Sequence, residues 1–122
     1  MKMRNKLCLG ARGEDAVIIF LQKKGWEILG KNVRVPFGEI DILAKHQGTL
    51  IIVEVKTRKK EASLESCMSY TKSQKILRSS QYIAQRYNTE DIRIDVAYVH
   101  AKEASFRIYY LVNAINETYC YN

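Results

Sequence analysis

The chain has little of what would mark it as modular, secreted or membrane-bound. It contains one proline, Pro36, and six glycines, with no Pro/Gly/Ser-rich stretch that could act as a linker. Its three cysteines, Cys8, Cys67 and Cys120, are an odd number without CxxC spacing. They support neither a disulfide framework nor a zinc site, and they suit a reducing compartment, the cytoplasm by expectation. Two histidines, His46 and His100, are too few for a histidine metal site or a catalytic triad. No GxxxxGK[ST] or GxGxxG motif occurs, which leaves nucleotide-driven work without support. The apolar runs, Ala16–Leu21 and Leu50–Val53 among them, fall far short of the ~18 residues of a membrane span. The basic start is followed by a stretch broken at Arg12, Glu14 and Asp15, so no secretory core is expected.

What is present reads as one globular domain over residues 1–122, with 47% hydrophobic and 27% charged residues. Twenty lysines and arginines against thirteen acids give a net charge of +7 and a pI near 9.4. Such a balance either serves solubility alone or meets a polyanion, nucleic acid first. The positive charge is spread along the chain, with a local concentration at Lys56-Thr57-Arg58-Lys59-Lys60.

Apolar spacing predicts a helix from about Gly10 to Lys24, carrying Val17, Phe20, Leu21 and Lys24 on one stripe and ending at Gly25. A short strand over Trp26–Val35 precedes a turn at Pro36 and Gly38. Two β-rich runs follow, Glu39–Lys45 and Thr49–Thr57, joined by His46-Gln47-Gly48 as a hairpin. A long helix is expected over about Glu65–Tyr87, with Ile76, Ile83, Ala84 and Tyr87 along one stripe. Strands at about Ile92–His100 and Phe106–Ile115 complete the pattern. The order α-β-β-β-α-β-β implies an α/β fold, a single mixed sheet flanked by helices.

The hairpin carries the chemistry. With a two-residue loop at Gln47-Gly48, Asp41 stands opposite Glu54 and Glu39 opposite Lys56, all on one side of the sheet. The other side reads Ile40, Ile42, Ala44, Ile51, Val53 and Val55, a core face. Leu43, Leu50 and Ile52 extend the charged face toward the turn, so the acids sit at one end of a partly apolar surface. Carboxylates with Cβ atoms ~5 Å apart repel each other and raise a pKa. A shared Mg²⁺ removes that cost. A lysine one step away can orient a water or stabilise negative charge on a phosphate, and together these are the parts of phosphodiester hydrolysis. A plain Glu39–Lys56 ion pair is the structural alternative. An odd-length loop would shift the register and remove the whole arrangement.

An acid followed by E-x-K on the next strand resembles the PD-(D/E)xK nucleases of the restriction-endonuclease-like superfamily. More closely, the chain resembles the YraN-like family of small bacterial proteins. The matching stretches are L-G-A-R-G-E-D-A, K-N-V-R-V-P-F-G-E-I-D-I-L-A and I-I-V-E-V-K-T-R. Weaker ones are T-K-S-Q-K-I-L, R-I-D-V and V-N-A-I. The stretch Lys59–Tyr70 departs from the family's pattern in lacking a glycine.

The resemblance implies a restriction-endonuclease-like fold with Asp41 and Glu54 as ligands of Mg²⁺ or Mn²⁺, the Val55 carbonyl as a third, and Lys56 as the catalytic lysine. Glu14 matches an acid directed at the metal in resolvase-like relatives; a helix N-terminal acid favoured by the dipole is the alternative. Arg58, two residues beyond Lys56 on the same strand face, is the leading phosphate contact. Lys72 and Lys75 match the family's basic helix pattern, with a solvated face as the simpler reading of Lys75. Arg34, beside Pro36, is a further candidate for substrate contact. The implied function is metal-dependent hydrolysis of nucleic acid, DNA first and branched DNA among its forms. The partner is nucleic acid rather than membrane, and a homodimer is compatible with two symmetric cuts. The rival readings are a non-catalytic nucleic-acid-binding domain and an accessory module of a DNA-processing complex.

Overall fold

The computed structural model describes residues 6–59, 69–102 and 105–117, with side chains from residue 9 onward. Helix α1 (Lys6–Lys23) precedes strands β1 (Glu27–Val35), β2 (Gly38–His46) and β3 (Thr49–Arg58). Helix α2 (Tyr70–Arg86) then leads to β4 (Ile92–Lys102) and β5 (Ser105–Ile115). The five strands form one sheet in the order β1-β2-β3-β4-β5. Only β3 and β4 run parallel, joined by the α2 crossover; the other pairs are antiparallel. This is the mixed sheet and the α-β-β-β-α-β-β order that the apolar patterning implies.

Local chemistry explains each boundary. Gln47 (φ 51°) and Gly48 (φ 84°) both adopt positive φ, the two-residue turn whose twist suits a tight hairpin. The pairs Ile42↔Val53, Leu43↔Ile52, Ala44↔Ile51, Lys45↔Leu50 and His46↔Thr49 therefore follow the expected register. Strand β3 is buried from Leu50 through Glu54, as a central strand covered on both faces must be. Helix α1 ends where Gly25 turns to φ 86° and the N–H of Trp26 donates to the carbonyl of Leu21 (3.1 Å). It starts at Lys6, ahead of the expected Gly10.

Helix α2 is capped by Ser69, whose hydroxyl accepts the N–H of Lys72 (3.2 Å). The expected start near Glu65 lies outside the described residues. Tyr87 is the C-cap and 48% exposed, so it leaves the expected stripe; Ile76 and Ile83 of that stripe are buried, joined by Ser73, Ser79 and Ser80. Cys67, Cys120, Lys60, Glu103 and Ala104 also lie outside the described residues.

The sheet separates two cores. On one face Val17 and Leu21 of α1 pack against Ile42, Ile51, Val53, Ala97 and Val99. On the other, Ile76 and Ile83 of α2 meet Leu43, Leu50, Ile52, Ile94, Val96 and Tyr98. Ile40 belongs to this second core, not to the face of Ile42 as strict alternation predicts. The change of face falls at Asp41. A second polar feature lies within β4, where fully buried Asp95 accepts from the Arg93 guanidinium (3.0 Å), the Tyr110 hydroxyl (2.6 Å) and the N–H of Asn113 (2.8 Å). The bonds from Tyr110 and Asn113 hold β4 to β5 across the register shift between Ile94 and Val96. Among the described residues no helix is long and apolar enough to cross a membrane.

Candidate active site

Strands β2 and β3 stop pairing after Ile42 and Val53, and the next residue on each strand is an acid. Asp41 Oδ2 accepts the main-chain N–H of Val55 at 2.8 Å. A side-chain carboxylate thus takes a main-chain donor of β3 just beyond the last ladder pair. Glu54 is 7% exposed. Its carboxyl is pushed up to about 8, first by burial and then by the charge of Asp41, with Lys56 pulling the other way. Burial also raises Asp41, opposed by the Val55 N–H and by the charge of Lys56.

Lys56 is half-buried on β3, and burial is the main reason its amine falls to about 8. The second reason is Lys72 in the first turn of α2, whose amine lies within hydrogen-bonding reach of Lys56 and adds positive charge. Glu54 and Asp41 work against both effects. The α2 crossover brings the two lysines together across a long interval of sequence. Two carboxyls and two amines thus meet at the end of the sheet where β3 finishes and α2 starts.

An outer group of polar residues comes from α1 and β1. Gly13 packs so tightly on β3 that a Cβ there would overlap Thr57 Oγ1 and lie 3.1 Å from Thr57 Cβ. That close approach sets Glu14 near the acids: burial raises its carboxyl, followed by the charge of Asp41. Asn32, at φ 52° in β1, donates through Nδ2 to Glu14 Oε1 (3.3 Å) and Glu39 Oε1 (3.4 Å). Beside it Lys31 pairs with Asp15 of α1 at 2.6 Å.

The remaining candidates are exposed. Arg34 stands opposite Glu39 in the β1–β2 ladder. Arg58 follows Lys56 on β3, and its guanidinium donates to the carbonyl of Thr57 (2.9 Å). Lys72 and Lys75 are exposed on α2. His46 stacks on Trp26 with ring centroids 5.4 Å apart, and His100 Nε2 lies 3.0 Å from the carbonyl of Lys59, so neither histidine joins the acids. Sequence reasoning assigned no role to Asn32, although an asparagine inside a strand-forming run is a signal for positive φ. It also left the Lys56–Lys72 approach unseen.

The donor set suits a hard divalent cation. Asp41 and Glu54 offer carboxylate oxygens, and their raised pKa values reflect burial together with the charge of Asp41 on Glu54 and of Glu39 on Asp41, a cost that a cation would relieve. Among the described residues, no three His, Cys, Asp or Glu side chains are grouped to hold an ion together. An ion held by this pair would complete its shell with main-chain oxygen and water, the habit of Mg²⁺.

The model of the uncharacterised protein family UPF0102 matches residues 13–99, a span that includes Glu14, Asn32, Asp41, Glu54, Lys56 and Lys72. The chain belongs to this family. It is the YraN-like family that the motifs resemble. A UPF0102 protein of Caldicellulosiruptor saccharolyticus is 37% identical over 116 residues, covering 90% of this chain and 98% of its own. One of Thermodesulfovibrio yellowstonii is 41% identical over 98 residues, covering 78% and 88%. Among solved structures, the chain is similar to Hjc of Archaeoglobus fulgidus, a Holliday junction resolvase, with TM-score 0.47 and 20% identity over 82% of this chain and 70% of that one. It is also similar to EndoMS in a complex with dsDNA, with TM-score 0.47 and 15% identity. That match covers 77% of this chain and 38% of the EndoMS chain.

Proposed function

We propose that this family member is a Mg²⁺- or Mn²⁺-dependent nuclease that hydrolyses phosphodiester bonds in DNA, branched DNA included. The observation that carries the reading is the convergence of Asp41, Glu54 and Lys56, all at least half-buried, at the end of the β2–β3 hairpin. Burial of two acids and an amine is costly to a fold and is typical of sites tuned for reaction.

Asp41 and Glu54 would hold the ion directly, with the Val55 carbonyl as a further oxygen donor and Glu14 reaching it through water. The bound ion would supply charge neutralisation at the phosphate and an acidified water. Lys56, with an amine near pH 8, exchanges its proton close to neutrality and can orient a water or stabilise charge on the phosphate. Lys72 keeps positive charge beside it. Arg58 and Arg34, exposed on either side of the hairpin, supply phosphate contacts that position a strand without reading its sequence.

The test is metal-dependent cleavage of single-stranded, duplex, flapped and four-way-junction DNA, with matching RNAs, by wild type, Asp41→Ala and Lys56→Ala. Metal-dependent cutting that disappears in both variants supports the reading and identifies the substrate shape. Folded proteins that bind the panel equally and never cut it would replace this reading with a non-catalytic binding domain.

A further inference from the structure

We propose that Asn32 is the positioning residue of this site, acting by setting where Glu14 stands relative to Asp41. The inference rests on the metal-site reading above and adds to it a residue outside the acid-and-lysine set.

Three observations carry it. Asn32 joins two carboxylates from different elements, Glu14 on α1 and Glu39 on β2, through one Nδ2 group. The amide orientation follows from chemistry, because Oδ1 turned toward two carboxylates would repel both. The backbone of Asn32 is at φ 52°, a conformation that few side chains other than asparagine adopt readily. The β1–β2 ladder pairs Lys31 with Ile42 and Val33 with Ile40, so Asn32 and Asp41 occupy the same level between those pairs.

The physical consequence is specific. Glu14 and Glu39 each add negative charge near Asp41, and unrestrained acids there would turn away into solvent. A donor shared between them offsets their repulsion and keeps Glu14 within electrostatic reach of Asp41. The exposed Lys31–Asp15 pair fixes α1 to β1 at the neighbouring position, and Lys31 also attracts Glu14 through its charge. Asn32 adds a direct side-chain hydrogen bond from β1 to Glu14 itself. Groups that orient ligands in this way commonly change metal affinity without contacting the metal.

The experiment measures Mn²⁺ affinity by electron paramagnetic resonance of free Mn²⁺, with no turnover required. Asn32→Gly keeps the positive φ accessible and removes the amide. It is compared with Glu14→Gln, the double variant, Asp41→Asn, and Ile83→Val as a control that loosens the core under the last turn of α2. Asn32→Gly is expected to weaken Mn²⁺ binding about tenfold. In the Glu14→Gln background it should add less than about twofold, because the residue it acts through is already changed. Ile83→Val should lower the melting temperature and leave affinity unchanged. Full Mn²⁺ affinity in folded Asn32→Gly, while Asp41→Asn loses it, overturns the positioning role and leaves the metal site standing. An equal loss in wild-type and Glu14→Gln backgrounds overturns the route through Glu14. Wild type that binds no Mn²⁺ overturns the metal-site reading and this inference with it.

Discussion

The main-chain N–H of Val55 donates to Asp41 Oδ2 across 2.8 Å, so a candidate metal ligand also closes the end of the β2–β3 pairing. The two duties separate by substitution. Asp41→Asn keeps an acceptor for that N–H and removes the charge facing Glu54. Asp41→Ala leaves the N–H without its partner, which costs about 1–3 kcal/mol where a donor is buried. Denaturant unfolding of the metal-free proteins should therefore rank Asn above Ala at this position. Equal stabilities would mean that water replaces the lost acceptor at no cost.

Glu54 and Lys56 give the metal-free site an unusual pH dependence. Glu54 is raised from 4.5 to about 8, so between those values the folded state holds a proton that the unfolded chain has released. Its contribution to stability is complete below 4.5 and is lost as pH rises through 8. Lys56 is lowered from 10.5 to about 8, so its contribution recovers as pH rises from 8 toward 10.5. Together they place a minimum near pH 8. The melting temperature of wild type minus that of Glu54→Gln should fall steadily from pH 5 to pH 8; a flat difference would deny the burial effect.

Divalent ions should act most strongly where this instability is greatest. Mg²⁺ or Mn²⁺ at 100 times its dissociation constant stabilises a folded protein by about 2.7 kcal/mol. The gain should be larger at pH 8 than at pH 5, where Glu54 keeps its proton, and chelation should reverse it. Differential scanning fluorimetry of wild type, Asp41→Asn and Glu54→Gln reads this directly. An equal shift in all three proteins would assign the ion to another location.

Gly13 and Thr57 offer a test of how α1 is seated. Gly13→Ala would set its methyl against Thr57 Oγ1, and overpacking of this kind costs about 1–3 kcal/mol. Thr57→Ala in the same chain should restore part of the loss, since it removes Oγ1 and Cγ2 but leaves Cβ. Thr57→Ala alone should be close to neutral, because Oγ1 is buried without a hydrogen-bond partner among the described residues. Urea unfolding of the four proteins completes the cycle.

Asp95 is fully buried and holds three donors, two of them from β5. Its own strand contributes the third, Arg93. Asp95→Ala strands that guanidinium and the Tyr110 hydroxyl, and breaking a buried pair from one side costs about 3–5 kcal/mol. Metal affinity should be unchanged in whatever fraction remains folded. Loss of metal binding without loss of stability would contradict a purely structural role.

Much of this was legible in the chain. The Gln47-Gly48 turn and the two-residue period of the strands determined the hairpin register, because a two-residue loop allows only one parity of facing residues. That parity is enough to bring Asp41, Glu54 and Lys56 to one end of the sheet. The apolar spacing likewise determined the order of helices and strands, since each element must bury one face or stripe. Tertiary structure decided the rest. The depth of Glu54, the approach of Lys72 to Lys56 and the Asn32 link between Glu14 and Glu39 join residues that no local period relates. Ile40 shows the limit most plainly: alternation assigned it to one core and the break at Asp41 put it in the other. Spacing along the chain encodes direction within an element, whereas these contacts depend on how closely the packed elements approach each other, and that distance is set by side chains from several elements at once.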